Sequence, residues 1–261
     1  MAAITGITGA VTSWAGTQNT QLIATGSEPA SFTLDVDGDE FDTTTFATTG
    51  AETALKGLYS WGGEITQQFK TAQIGSAGSV VFSAGYVTNL NNWELVVTGT
   101  EYETTAFGSL TAKTFIPGTF RWGGTFGGFL DDTTVATLPG NSNEPATGTF
   151  RLRDLATDDD LSGSIFTTRL GASSSPLAVN TVSYSFRGSG ALTQSTPTSG
   201  TTIFPLGALA AAASGSLVLT ASTGRTYTGD AFWTGITVTV PATNLCTTRI
   251  RFRGAGALTP A

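Results

Sequence analysis

Residues 31–65 and 92–126 of this chain are two versions of one segment. Aligned without a gap at an offset of 61, they agree at 13 of 35 positions. The identities include Leu34/Leu95, Val36/Val97, Gly38/Gly99, Glu40/Glu101 and Phe46/Phe107, and the triplet Trp61-Gly62-Gly63 against Trp122-Gly123-Gly124. Phe32/Trp93, Phe41/Tyr102 and Tyr59/Phe120 are conservative exchanges. A second pair of segments, 183–193 and 249–259, repeats at an offset of 66, and Gly163 with Phe166 matches Gly229 with Phe232 upstream. Whatever the unit folds into, the chain must accommodate it twice, and repeated units build arrays and rings more readily than they build catalytic centres.

The unit is a β unit. Short runs such as Phe32–Val36, Trp93–Val97, Val182–Phe186, Ser216–Thr220, Gly235–Val240 and Arg249–Phe252 are rich in β-branched and aromatic residues and are punctuated by Gly, Pro, Asn and Asp. Asp37-Gly38 and Thr98-Gly99 read as equivalent tight turns. Leu206–Ala213 is the one helical run, alanine-rich and stopped by Gly215. Asp158–Asp160 and Leu138–Ala146 read as surface loops, and many short strands with regular turn signals predict a β-sandwich or barrel.

Composition removes whole classes of chemistry. The chain has no histidine, which excludes Ser-His-Asp and Cys-His catalysis and His-ligated zinc. One cysteine, Cys246, cannot form an intrachain disulfide or a multi-cysteine metal site, and reads as a small buried residue. No phosphate-binding glycine loop is present. A carboxylate pair of the glycosidase type remains open on composition alone. Charged residues are only 12% of the chain, with a net charge of −7. Residues 1–130 hold 11 acids against four bases, so all of that excess lies in the first half. An acidic protein is poorly built to grip phosphates. Arg249, Arg251 and Arg253 alternate along one predicted strand and share a face, as on a solvated or subunit-facing strand edge. The apolar opening of the chain precedes its first basic residue, Lys56, so it lacks the positive region of a secretory signal and reads as an N-terminal arm, residues 1–27.

The cluster Asp35, Asp37, Asp39 and Glu40 superficially resembles a calcium loop. However, its glycine falls at the fourth position, Phe46 occupies the twelfth, and the second copy carries Val96, Thr98 and Thr100 instead of the three aspartates. A strand with Leu34 and Val36 on one face and the acids on the other accounts for it better. Trp61 and Trp122, each followed by Gly-Gly, are either ligand-stacking platforms or hairpin anchors packed on the core. Their equivalent repeat positions favour anchors.

Taken in order, Glu101-Tyr-Glu-Thr-Thr-Ala-Phe107, the Gly118–Gly124 segment with its Trp-Gly-Gly, Ser162–Phe166 and the closing Phe186–Thr193 resemble the tail tube proteins of long-tailed bacteriophages. The resemblance covers residues 93–195. Residues 31–77 supply the opening half of the same unit and 214–259 a closing half. The organisation is therefore expected to be an arm, 1–27, a discontinuous tube-like domain, 28–92 plus 196–261, and an inserted one, 93–195. Gly78–Phe82 would form a strand near the crossover and Thr196–Gly200 the return linker. On this reading Leu34 and Val36 share a sheet with Ile250 and Phe252 rather than pairing with Tyr184 and Phe186.

What the resemblance implies is a mainly β fold of two sandwich-like or barrel-like domains with one short helix. Such chains assemble as rings whose inner strands form a continuous barrel. The role is structural, with no catalysis, metal or cofactor. The partners are further copies of the chain, as a trimeric ring in preference to a hexamer, other tail proteins at the tube ends, and DNA that passes without specific binding or membrane contact. The protein would be made in the host cytoplasm and located in the virion tail. Asp35, Asp37, Asp39 and Glu40 would face the lumen or a ring contact, and the arm would strap neighbouring rings. A capsid decoration protein and a carbohydrate-binding β module are the alternatives.

Overall fold

Phe32 and Leu34 are buried while Ser31, Thr33 and Asp35 between them are exposed, a two-residue alternation that only an extended strand can produce. The computed structural model describes residues 4–5, 10–15, 31–43, 54–68, 80–82, 89–106, 111–129, 146–151, 160–175, 178–194, 214–221, 225–241 and 247–261. Their regular structure is entirely strand: β1 Ile4–Thr5, β2 Ala10–Ala15, β3 Ser31–Asp42, β4 Ala54–Gln68, β5 Val80–Phe82, β6 Asn89–Glu103, β7 Phe115–Phe129, β8 Ala146–Arg151, β9 Asp160–Ser175, β10 Ala178–Gln194, β11 Gly215–Thr220, β12 Thr226–Pro241 and β13 Thr247–Pro260. The expected helix at 206–213, the linker at 196–200 and Cys246 lie outside the described residues.

The strands form one antiparallel sheet in the order β1-β3-β4-β13-β12-β6-β7-β10-β9-β8-β5, with β11 bridging β12 and β2. β4 has β3 on one side and β13 on the other, so Leu34 and Val36 are one strand removed from Ile250 and Phe252. Tyr184 and Phe186 lie on β10, beyond β12, β6 and β7.

Two groups of four strands, β3-β4-β13-β12 and β6-β7-β10-β9, are joined in matching registers. Leu34 faces Gly63 as Leu95 faces Gly124, and Val36 faces Trp61 as Val97 faces Trp122. Ile250 faces Ile65 as Tyr184 faces Phe126. Even the irregularities coincide: β12 slips against β13 between Trp233 and Gly235, and β9 slips against β10 between Thr167 and Arg169.

Three expectations change. Gly38 and Gly99 do not make turns. Both lie inside long strands, and the strand pairing slips beside each of them, between Gly38 and Glu40 and between Gly99 and Glu101. A glycine within a strand pattern marks a bulge as readily as a turn, and local sequence does not separate the two. The Trp-Gly-Gly triplets likewise sit in the middle of β4 and β7 rather than at hairpin bends. The glycines serve close approach of a neighbouring strand: a Cβ on Gly62 would come within 2.8 Å of the Phe252 carbonyl oxygen, and one on Gly123 within 2.7 Å of that of Phe186. Finally, β13 is not an edge strand but lies between β4 and β12.

One face of the sheet carries the core. Phe32, Leu34, Trp61, Ile65, Trp93, Leu95, Phe126, Ile236, Val238, Ile250 and Phe252 pack there with Leu217 and Leu219 of β11. Burying a side chain of this size contributes about 1.5–3 kcal/mol.

Candidate functional site

Trp61 and Trp122 occupy equivalent, nearly identical settings. The Trp61 indole N–H donates to the Gly256 carbonyl at 2.7 Å, and that of Trp122 donates to Gly190 at 2.9 Å. Each ring meets a phenylalanine edge-on, Phe252 at 6.2 Å and Phe186 at 6.3 Å between centroids. Each is flanked by two glycines, Gly229 and Gly254 for Trp61 and Gly163 and Gly188 for Trp122, where a Cβ would strike the indole. At 1% and 6% exposure neither ring offers a face to a ligand. The glycines are therefore the space into which the indoles fit.

The opposite face of the sheet is polar, and it is not uniformly acidic. Reading across the strands, Thr33, Glu64, Arg251, Gly235, Thr98 and Arg121 stand in one row. A groove on this face is lined by Asp35, Asp37, Glu64, Glu101, Arg251 and Arg253. Arg251 Nε lies 3.7 Å from Glu64 Oε2. Thr239 donates a hydrogen bond to Glu94 at 3.3 Å. Asp35 and Asp37 thus share their surface with arginines, which local charge counting along the chain does not reveal.

Asp39 stands apart from the other acids. It pairs with Lys113 at 2.7 Å, and this hydrogen-bonded carboxylate holds the Lys113 ammonium above its ordinary pKa. Lys113 belongs to residues 111–114, which run beside β4 in parallel: Tyr59 N–H donates to the Thr111 carbonyl, and Lys113 N–H donates to that of Tyr59. The segment ahead of β7 therefore clasps the β3–β4 pair. Glu40 lies opposite Lys56 on β4.

The seam between the two strand groups is the most informative part of this surface. β12 pairs with β6 from Gly235↔Thr98 to Pro241↔Asn92. Ile236 and Val97, directly opposed there, are 3% and 5% exposed. Arg253 of β13 reaches over the seam, its Nε 3.6 Å from Glu101 and its guanidinium 4.2 Å above the Phe115 ring. Sequence reading singled out Arg253 as part of a basic stripe and missed this contact. The identities Arg187/Arg253 and Glu40/Glu101 were visible in the repeats, but only the strand order makes them partners.

Two pairs of large apolar side chains remain exposed at equivalent strand ends: Phe41 opposite Leu55, at 59% and 62%, and Tyr102 opposite Ile116, at 56% and 50%. Of the expected N-terminal arm, Ile4–Thr5 pair with Leu34 and Thr33 of β3, and Ala10–Ala15 pair with β11. The arm's described parts thus border its own sheet. No protein-family model matches the chain, and it matches no curated protein.

Proposed function

We propose that this chain is a tail tube protein of the type found in long-tailed bacteriophages: a structural virion component that polymerises as stacked rings into a hollow tube for DNA passage. The observation that carries the reading is the seam. Two repeated strand groups stand side by side in one continuous sheet, joined by ordinary β-ladder pairing at β12–β6. In this reading they are two copies of one domain, the second inserted into the first. Continuing the same side-by-side placement from chain to chain curves the sheet into a closed barrel and leaves no free edge. Three chains then supply six equivalent units. The exposed pairs Phe41/Leu55 and Tyr102/Ile116 project from corresponding places in both units, which suits a repeated apolar contact between stacked rings. On the polar face Glu64 and Glu101 stand beside Arg251 and Arg253, which offsets the pull of those arginines on passing phosphates. The buried indoles of Trp61 and Trp122 are unavailable as sugar-stacking platforms, which removes the residues on which a carbohydrate-binding reading rested.

Negative-stain electron microscopy of the purified protein across a concentration series tests this reading. The expected result is rings or hollow tubes with a regular axial repeat. Monomers at every concentration would overturn it and leave a capsid decoration protein as the reading to pursue, by adding preformed capsids.

A further inference from the structure

The two strand groups differ in one respect. In β12, one edge is divided between two partners: Thr226–Ala231 pair with β11, and Gly235–Pro241 pair with β6. The matching edge of β9 is divided at the same place. Asp160–Ile165 pair with β8, but residues from Arg169 onward have no strand against them on that edge among the described residues. At the other end of the sheet, β3 presents the edge that corresponds to the β6 side of the seam. Among the described residues it carries only the two-residue strand β1, at Leu34 and Thr33.

Mapping the seam through the two repeat offsets gives a definite register for these edges. Ile236↔Val97 becomes Leu170 against Val36, and Val238↔Leu95 becomes Ala172 against Leu34. Leu170 and Val36 are 39% and 37% exposed, whereas the seam residues they correspond to are almost fully buried. Gly235↔Thr98 becomes Arg169 against Asp37, a pair of opposite charges. The Arg253–Glu101 contact becomes Arg187 with Glu40, the same two residue types. Two apolar pairs and two pairs of opposite charge therefore fall together in one register. A slip of one residue would set Leu170 against Asp35 or Asp37 and turn every side chain to the wrong face.

We propose that β9 of one copy adds to β3 of a second copy in the register of the β12–β6 seam, with Arg187 of one copy facing Glu40 of the other. Ile4–Thr5 occupy the positions on β3 that Ala172 and Ser173 of the incoming copy take, so in the lone chain β1 shields this edge and must leave it when copies join. The inference rests on the tube reading and specifies its ring contact, by residue and register.

Disulfide trapping tests it in the full chain carrying Cys246→Ser. Directly opposed strand residues have Cα atoms about 4.5–5.5 Å apart, within the span a disulfide bridges, whereas a two-residue offset exceeds it. Val36→Cys with Leu170→Cys should give a ladder of covalent oligomers on oxidation, and Val36→Cys with Ala172→Cys should not. Arg187→Glu and Glu40→Arg should each raise the concentration needed for assembly about three- to tenfold, with the double variant returning close to the parent, since each single change replaces an attraction with a repulsion. Equal ladders from both cysteine pairs, a disulfide confined to monomers, or no rescue by the double variant would overturn the register. Rings or tubes that form without the Val36–Leu170 ladder would overturn the register and leave the tube reading standing. A parent chain that stays monomeric in the electron microscope would overturn both.

Discussion

Gly188 and Gly254 are each pressed against an indole, and their substitution separates packing from backbone freedom. A Cβ at either position would strike the ring of Trp122 or Trp61, so Gly188→Ala and Gly254→Ala should each destabilise the fold by about 1–3 kcal/mol. The next pair of equivalent glycines behaves differently. Gly190 and Gly256 both have open space where a Cβ would go, but only Gly190 adopts a positive φ, +79°. Gly190→Ala should cost about 1–2 kcal/mol through backbone strain alone, and Gly256→Ala much less. Urea unfolding of the four variants checks this. Equal costs at 190 and 256 would show that the repeats relax alike despite their different backbones. The glycines' repeat pattern was legible in the sequence. The reason for it was not, because each glycine's indole partner is supplied by another strand.

At the scale of elements, alkaline pH probes how the strands are held. Tyr184 of β10 is stacked on Phe126 of β7 at 4.7 Å, and desolvation raises its phenol above the ordinary pKa. Lys113, bonded to Asp39 of β3, is raised as well. Both groups keep their protons in the folded chain at a pH where the unfolded chain has begun to release them. The folded state then binds more protons, and stability falls as pH rises beyond about 10. The urea midpoint should therefore be flat from pH 8 to 9 and drop between pH 10 and 11, with a shallower drop in Tyr184→Phe. A drop of the same size in that variant would remove Tyr184 from the account. The strands themselves were largely readable, since alternation in 32–35, 93–97 and 249–252 survives as alternate burial. Their lengths were not: Gly38, Gly99 and the Trp-Gly-Gly triplets looked like places to turn, yet β3, β4, β6 and β7 run through them. Pairing on both sides of a strand outweighs the weak strand preference of glycine, and the preference survives as a bulge.

For the whole molecule, the strand order sets which fragments can stand alone. The strands β6, β7, β10, β9 and β8 are mutually adjacent and all lie within residues 89–194. The group β3, β4, β13 and β12 instead draws on both ends of the chain, with β13 wedged between β4 and β12. Under the nested-domain reading, a fragment of residues 89–195 should give a cooperative thermal transition by circular dichroism, and one of residues 1–130 should give none. Cooperative melting of the 1–130 fragment would mean that the first strand group does not need β12 and β13, and would argue for two sequential domains.

The sequence by itself determined that the chain is built of strands and that two stretches recur, because side-chain alternation and repeat identity are local properties of the chain. It also determined which chemistries lack their residues, the absence of histidine being the clearest case. Only the tertiary structure decided which strands are neighbours, that the acids of β3 share a face with arginines of β13, and that Arg253 meets Glu101 over the seam. These are pairings between residues up to about 200 positions apart, and the free energy that selects them comes from burying both faces of a contact at once. One strand carries only half of that information. The other half lies on the strand beside it, and at β3 and β9, under the proposed register, on a second copy of the chain.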